Sequence, residues 1–135
     1  VLTHANWITG KETDDTKNEQ VALRHAPPFY GSTLIRYRFK KLFVEASANY
    51  NSKIKNEDLA PSEQAKTDIY AKDDNGKPYS PGWYTLNLKA SFQITKNLMA
   101  TTGWENFTNQ RYRPYSSGIV AAGSNFIIGL RASLN

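Results

Sequence analysis

Residues Trp83–Ile94 read WYTLNLKASFQI. Every second side chain is apolar: Tyr84, Leu86, Leu88, Ala90, Phe92 and Ile94. Between them stand Trp83, Thr85, Asn87, Lys89, Ser91 and Gln93, which are mostly polar or small. Side chains alternate across a β-strand, so this stretch predicts one long strand with an apolar face and a polar face. Strands in globular proteins are more often about five or six residues long. Strands of roughly ten alternating residues suit a membrane-spanning barrel.

Working outward, the residues 98–107 predict a partner strand. Leu98, Ala100, Thr102 and Trp104 share one face, and Met99, Thr101, Gly103 and Glu105 the other. Thr95-Lys96-Asn97 joins the two as a three-residue hairpin, with Asn97 expected in the left-handed conformation. This register pairs Ile94 with Leu98, Phe92 with Ala100 and Leu88 with Trp104. Upstream, residues 32–39 and 42–51 predict a second hairpin around Lys40-Lys41. It sets Phe39 against Leu42 on the apolar face and Arg36 against Glu45 on the polar face, so pattern and pairing agree. Lys-Lys is unusual turn chemistry, because tight hairpin turns favour Gly or Asn. Residues 1–9 and 125–134 complete six strands.

The segments between them are polar. Gly10 opens KETDDTKNEQ, which lacks periodicity and is expected to be an exposed loop through Pro27-Pro28. Ser52–Pro81 is long for a structureless connection. It is expected either to be functional or to have structure of its own, with a helical turn within Ser62–Tyr70 and a tight turn at Asn75-Gly76. Asn109–Gly123 is the third long loop. Long and short connections therefore alternate strictly, as in outer-membrane barrels with short periplasmic turns and long extracellular loops. The fold expected is all-β: an antiparallel meander of about six long strands, part of a transmembrane β-barrel.

Composition narrows the function. The 135 residues suffice for one domain and carry a net charge of +5 with no cysteine. No disulfide framework or thiolate metal site is available. No apolar run approaches the length of a membrane-spanning helix. There is neither an initiator Met nor a signal peptide, so the chain reads as a mature or excised segment. The basic residues are dispersed, with Lys40-Lys41 the longest run, which argues against a nucleic-acid partner. His4 and His25 have no companions at metal-ligand spacing. Asp14-Asp15 and Asp73-Asp74 match no calcium loop and read as solvated acids. Asn106-Phe107-Thr108 forms a sequon by chance. No nucleophile elbow or acid/base carboxylate pair stands out, so no enzyme, cofactor or metal is expected.

Two residue groups remain. Arg36, Arg38, Glu45, Lys89, Glu105 and Arg131 fall on the polar face and would point into a barrel lumen. Facing lipid near the midplane, each Arg or Lys would cost about 2–4 kcal/mol. Facing inward, they can form wall ion pairs. Arg111, Tyr112, Arg113 and Tyr115 cluster in the last long loop. Arg supplies charge-assisted contacts to anions and Tyr a stacking face with a polar tip, so these are the candidate contacts to a small-molecule ligand.

From Ala26 to the end, the chain resembles the C-terminal part of TonB-dependent outer-membrane receptors. The resemblance rests on Ala26-Pro27 followed by Tyr37, and on Pro81-Gly82-Trp83 leading into Leu86-Asn87-Leu88. It continues through Gly103-Trp104-Glu105-Asn106-Phe107, Arg111-Tyr112-Arg113 and Ser117-Gly118, and closes on Ala122-Gly123 and Phe126-Ile127-Ile128-Gly129-Leu130. Such receptors are plugged barrels of about 22 strands. The resemblance implies a wall segment in the bacterial outer membrane that takes up a ferric siderophore or similar scarce nutrient. Its partners would be the lipid bilayer, the plug domain and remaining barrel, and TonB only through an N-terminal part that this segment lacks. The inward charges would then dock the plug. The family usually ends in an aromatic residue, whereas this chain ends Leu134-Asn135. The rival readings are a small soluble ligand-binding β-barrel with its apolar face inward, and an adhesion barrel of eight strands.

Overall fold

The computed structural model describes residues 1–14, 17–24 and 29–134. Six strands form one antiparallel sheet. They are β1 (Leu2–Trp7), β4 (Phe29–Phe39), β5 (Leu42–Asn51), β8 (Trp83–Thr95), β9 (Leu98–Glu105) and β10 (Asn125–Ala132). The sheet is a meander, so each strand lies beside its predecessor in the sheet, and β1 and β10 are its two edges.

The register follows the alternation. Phe39 lies opposite Leu42 and Arg36 opposite Glu45. Leu88 lies opposite Trp104 and Phe92 opposite Ala100. Rows of like side chains then cross the sheet: Ile35, Ala46, Leu88, Trp104 and Phe126 form one apolar row. Arg36, Glu45, Lys89, Gly103 and Ile127 form the next row, on the opposite face.

Four expectations about the strands are corrected. First, Ile94 does not pair with Leu98. The ladder shifts between Gln93 and Thr95, so Thr95 faces Leu98 and Ile94 is a bulge residue. Lys96-Asn97 then forms the turn, held by the Asn97 amide on Thr95 Oγ1 (3.2 Å) and by Gln93 Nε2 on the Thr95 carbonyl (2.7 Å). Second, Asn97 does not take a positive φ. Lys40 does, at 50°, in the other hairpin. Third, the strand expected over 98–107 stops at Glu105, because Asn106 turns to φ 45° and its amide donates to Asn87 Oδ1 at 2.8 Å. Fourth, β1 ends at Trp7, β10 ends at Ala132, and β4 starts earlier, at Phe29.

The first long connection is more ordered than its composition suggests. Strands β2 (Lys11–Asp14) and β3 (Glu19–Ala22) form a hairpin of their own, with Gln20 Nε2 donating to Thr13 Oγ1 at 2.9 Å. Pro27-Pro28, His25 and Asp15 lie outside the described residues.

The second connection contains the best-buried part of the molecule. Pro61–Gln64 forms the expected helical turn α1, opened by a proline whose missing N–H costs nothing at that position. Gly76 adopts φ 76° in a turn whose Asn75 and Lys77 amides both donate to Asp73 Oδ1 (2.9 and 2.8 Å). It joins two short strands, β6 (Ala71–Lys72) and β7 (Pro78–Tyr79). Ile54, Leu59 and Ala60 are the buried apolar residues of the described chain, and all three lie in this connection.

The sheet's two faces differ in what covers them. The apolar face is bare: Leu88 is 44% exposed, Trp104 46%, Phe126 62% and Ile128 74%. The opposite face is roofed at its long-loop end, where Thr85 is only 4% exposed. No helix among the described residues is long and apolar enough to cross a membrane.

Candidate ligand cleft between the long loops

Asn106 sets the path of the last long loop. Its Nδ2 donates to the carbonyls of Gln110 (2.9 Å) and Ala122 (3.1 Å), and its Oδ1 accepts from the Gln110 amide (2.9 Å). These bonds hold the two ends of the loop together over the polar face. The side chain is 5% exposed and fully committed to backbone partners, which leaves nothing for a glycan. Asn109 extends the clamp by accepting from the Ser124 amide at 3.0 Å.

The loop so anchored meets the connection between β5 and β8. Tyr112 stacks on Trp83, ring centroids 4.1 Å apart and planes 31° from parallel. Arg113 Nη1 donates to the carbonyls of Ile69 (3.1 Å) and Asp68 (3.4 Å). Ser116 Oγ donates to Glu63 Oε1 at 3.0 Å. Glu63 also accepts from Tyr70 Oη (2.6 Å) and Lys66 Nζ (2.7 Å). The two loops thus form one cap, with a fully buried carboxylate at their junction.

Charge explains why that carboxylate is tolerated. Burial by itself raises the Glu63 pKa. The bonds from Lys66, Tyr70 and Ser116, together with the Lys66 charge, outweigh burial and hold it below the ordinary 4.5. The same contact acts in reverse on the phenols. Burial first, and then the bond to Glu63, raise Tyr70 well above its usual range. Burial and the Glu63 charge push Tyr115 up to about 12.

Between the two loops lies a cleft of about 470 Å³, lined among others by Tyr70, Trp83, Arg111, Tyr112 and Arg113. Among the described residues, no Asp, Glu or Lys lines it. Its walls are aromatic and apolar surface with two guanidinium groups, which suits a flat or anionic small molecule. Two buried polar atoms nearby have no hydrogen-bond partner among the described residues: Trp83 Nε1 and Asn51 Oδ1, on residues directly opposite each other in the β5–β8 ladder.

The four residues singled out in this loop divide in two. Tyr112, Arg113 and Tyr115 are engaged in loop packing, Tyr115 with its ring 6.5 Å from Tyr70. Arg111 is exposed at the cleft and has no ion-pair partner among the described residues. Glu63, Trp83, Asn106 and Asn51 were not among the site residues expected from the sequence. The Pro81-Gly82-Trp83 and Gly103-Trp104-Glu105-Asn106-Phe107 motifs are the local signals that contain Trp83 and Asn106.

The polar-face charges also divide. Arg36 Nε pairs with Glu45 Oε2 at 2.8 Å, and Lys89 Nζ with Glu105 Oε1 at 3.4 Å. Arg38 lies over the Phe43 ring at 5.7 Å. Arg131 has no such partner among the described residues. Beneath the cap, Ser47, Asn49, Asn87, Lys89 and Glu105 line a second, polar cleft of about 330 Å³. His4 lines a third cleft beside Tyr30 and Tyr115. No group of three His, Asp or Glu among the described residues is placed to hold a metal ion.

Comparisons with protein families, with curated proteins and with solved structures return no match for this chain. Fold and cleft together define it as an all-β chain with a six-stranded antiparallel meander whose second and third long connections fold over one face.

Proposed function

We propose that the chain is a wall-and-loop segment of a TonB-dependent receptor in the bacterial outer membrane, serving uptake of a small anionic ligand such as a ferric siderophore. The observation that carries the reading is the bare apolar face. Large side chains of β4, β8, β9 and β10, such as Tyr37, Leu88, Trp104 and Ile128, stay exposed on it, while the polar face receives the second and third long connections. A bilayer is the partner that matches such a face along strands of this length.

Three further features support it. Aromatic side chains cluster towards the long-loop end, with Trp7 6.0 Å from Phe29 and Phe29 5.9 Å from Tyr50. Phe39 and Phe92 stand towards the opposite end, as in the paired aromatic girdles of barrels. Both short turns lie at one end of the sheet. The ion pairs sit on the face that would line the lumen, where the remaining charge is available to a plug domain. Arg111 is the residue we assign to first contact with an anionic ligand.

A soluble ligand-binding barrel would need Leu88, Phe92 and Trp104 inside, and their exposure speaks against it. Fractionation tests the choice. An antibody raised to this segment should detect, in the source cells, an outer-membrane product several times larger than the segment's 15.2 kDa. A soluble product of the segment's own size would overturn the reading.

A further inference from the structure

The short-turn end of the sheet carries a charge arrangement that the receptor reading does not use. Residues 37–44, 90–102 and 128–134 make up this end. They contain Arg38, Lys40, Lys41, Lys96 and Arg131 and no Asp or Glu. The nearest carboxylate along β5, Glu45, is paired with Arg36. The lysines are at the turn tips. The Lys40 ammonium lies 5.4 Å from the ring centre of Phe39, an exposed residue of the apolar face, so its charge sits at the border of that face. Lys41 Nζ donates to the carbonyl of Ile94, the bulge residue, at 3.2 Å. The Gln93 amide donates to the Lys41 carbonyl at 2.9 Å, which ties the two turns together. Lys96 is exposed in the second turn and has no ion-pair partner among the described residues. Lys40 also holds φ 50°, a conformation that Gly or Asn would adopt with less strain.

We propose that this rim binds the headgroup phosphate of an anionic phospholipid. Lys40, Lys41 and Lys96 contact the phosphate, and Phe39, Leu42 and Phe92 receive the acyl chain. The inference rests on the membrane reading above. Charge complementarity selects the occupant: cations without carboxylates, set at the end of a lipid-facing apolar band, match an anionic headgroup above its own chains. Each neutralised lysine should weaken the preference roughly fivefold.

The test uses the full native protein in mild detergent. Its partition into phosphatidylcholine vesicles is compared with partition into phosphatidylcholine mixed with phosphatidylglycerol. The Lys40→Gln/Lys41→Gln/Lys96→Gln variant is set beside a charge-matched control, Lys55→Gln/Lys72→Gln/Lys77→Gln. The expected result is a phosphatidylglycerol preference that falls on the order of 100-fold in the turn variant, persists in the control and weakens with salt. Equal preference in both variants overturns the proposal. So does displacement of the lipid by inorganic phosphate alone, or self-association that disappears with the same lysines. Equal insertion into both vesicle types refutes the headgroup site and leaves the membrane reading standing. Failure to enter either type refutes the membrane reading itself.

Discussion

Replacing Glu63 by Gln should loosen the cap and leave the wall intact. Glu63 is fully buried and accepts three hydrogen bonds, from Tyr70 (2.6 Å), Lys66 (2.7 Å) and Ser116 (3.0 Å). Hydrogen bonds to a charged group contribute about 1.5–3 kcal/mol each. Lys66 is 44% exposed and can turn to water, so its loss costs little. The amide of Gln brings donors into a pocket that already supplies three, so the Tyr70 or Ser116 hydroxyl must reverse its bond or lose it, and every bond to the site loses its charge assistance. A cost of about 2–4 kcal/mol follows, confined to the cap. Hydrogen exchange resolved by peptide is the assay. Amides in 52–81 and 109–123 should exchange on the order of 30-fold faster or more, while β4, β5 and β8 keep their protection. The carboxyl is held below 4.5 in the folded cap, so its contribution is complete above 4.5 and fades as the pH falls through the depressed value. The wild-type cap should therefore loosen in acid, and the Gln variant should lack that step. Unchanged loop exchange in the variant at neutral pH would refute the reasoning.

Leu88→Arg places a cation near the middle of the apolar face. In a bilayer it should cost about 2–4 kcal/mol, whereas a face lying in water would tolerate it within about 0.5 kcal/mol, as measured by unfolding in lipid vesicles beside Leu88→Ala. Trp83→Phe keeps an aromatic ring against Tyr112 and removes a buried N–H that has no acceptor among the described residues. Thermal unfolding should show a change within about 1 kcal/mol, against about 3–5 kcal/mol for Trp83→Ala. A large loss in Trp83→Phe would mean that the indole N–H does have a partner. Gly31→Ala puts a methyl where the His4 carbonyl and the Tyr50 ring already lie. It should destabilise by about 1–3 kcal/mol and speed exchange of the β1 amides, and unaltered β1 exchange would count against that close approach.

The sequence made the wall legible because period-two alternation is strong wherever one face is apolar. Phe39 against Leu42 and Arg36 against Glu45 followed from a single choice of turn. The bulge at Ile94 escaped because Ile94 is as apolar as its neighbours, and only the side-chain bonds of Gln93 and Thr95 select the tighter turn. The β2–β3 hairpin escaped for the opposite reason. Its first strand, Lys11–Asp14, is polar on both faces and its second carries adjacent Val21 and Ala22 on opposite faces, so alternation carries no signal. The cap was the least legible part. A Glu is rarely buried unless paired, and the partners that bury Glu63 include Ser116, far along the chain. Arg113 and Tyr115 have the chemistry of ligand contacts but serve to join loops, and that distinction is tertiary.

Burial in this protein is inverted relative to a water-soluble sheet. Ile54, Leu59 and Ala60, in a loop, are dry, while the sheet's own apolar rows are bare. Fully covering a large apolar side chain stabilises by about 1.5–3 kcal/mol. Ile35, Tyr37, Phe39, Leu88, Phe92, Ile94, Trp104, Phe126, Ile128 and Leu130 are each at least 41% exposed. Covering what remains open on them is worth on the order of 10 kcal/mol, as much as the whole folding stability of an ordinary domain. On the membrane reading proposed above, the sheet would be stabilised chiefly by the bilayer against its apolar face, and the cap by its own small core and the Glu63 cluster. Two sources of stability with no shared partners should behave independently. Combining Glu63→Gln with Leu88→Arg should give costs that add within about 0.5 kcal/mol. A larger coupling would show that the cap braces the wall across the polar face, and Trp83, which belongs to β8 and stacks on Tyr112 of the loop, is the side chain through which that coupling would pass.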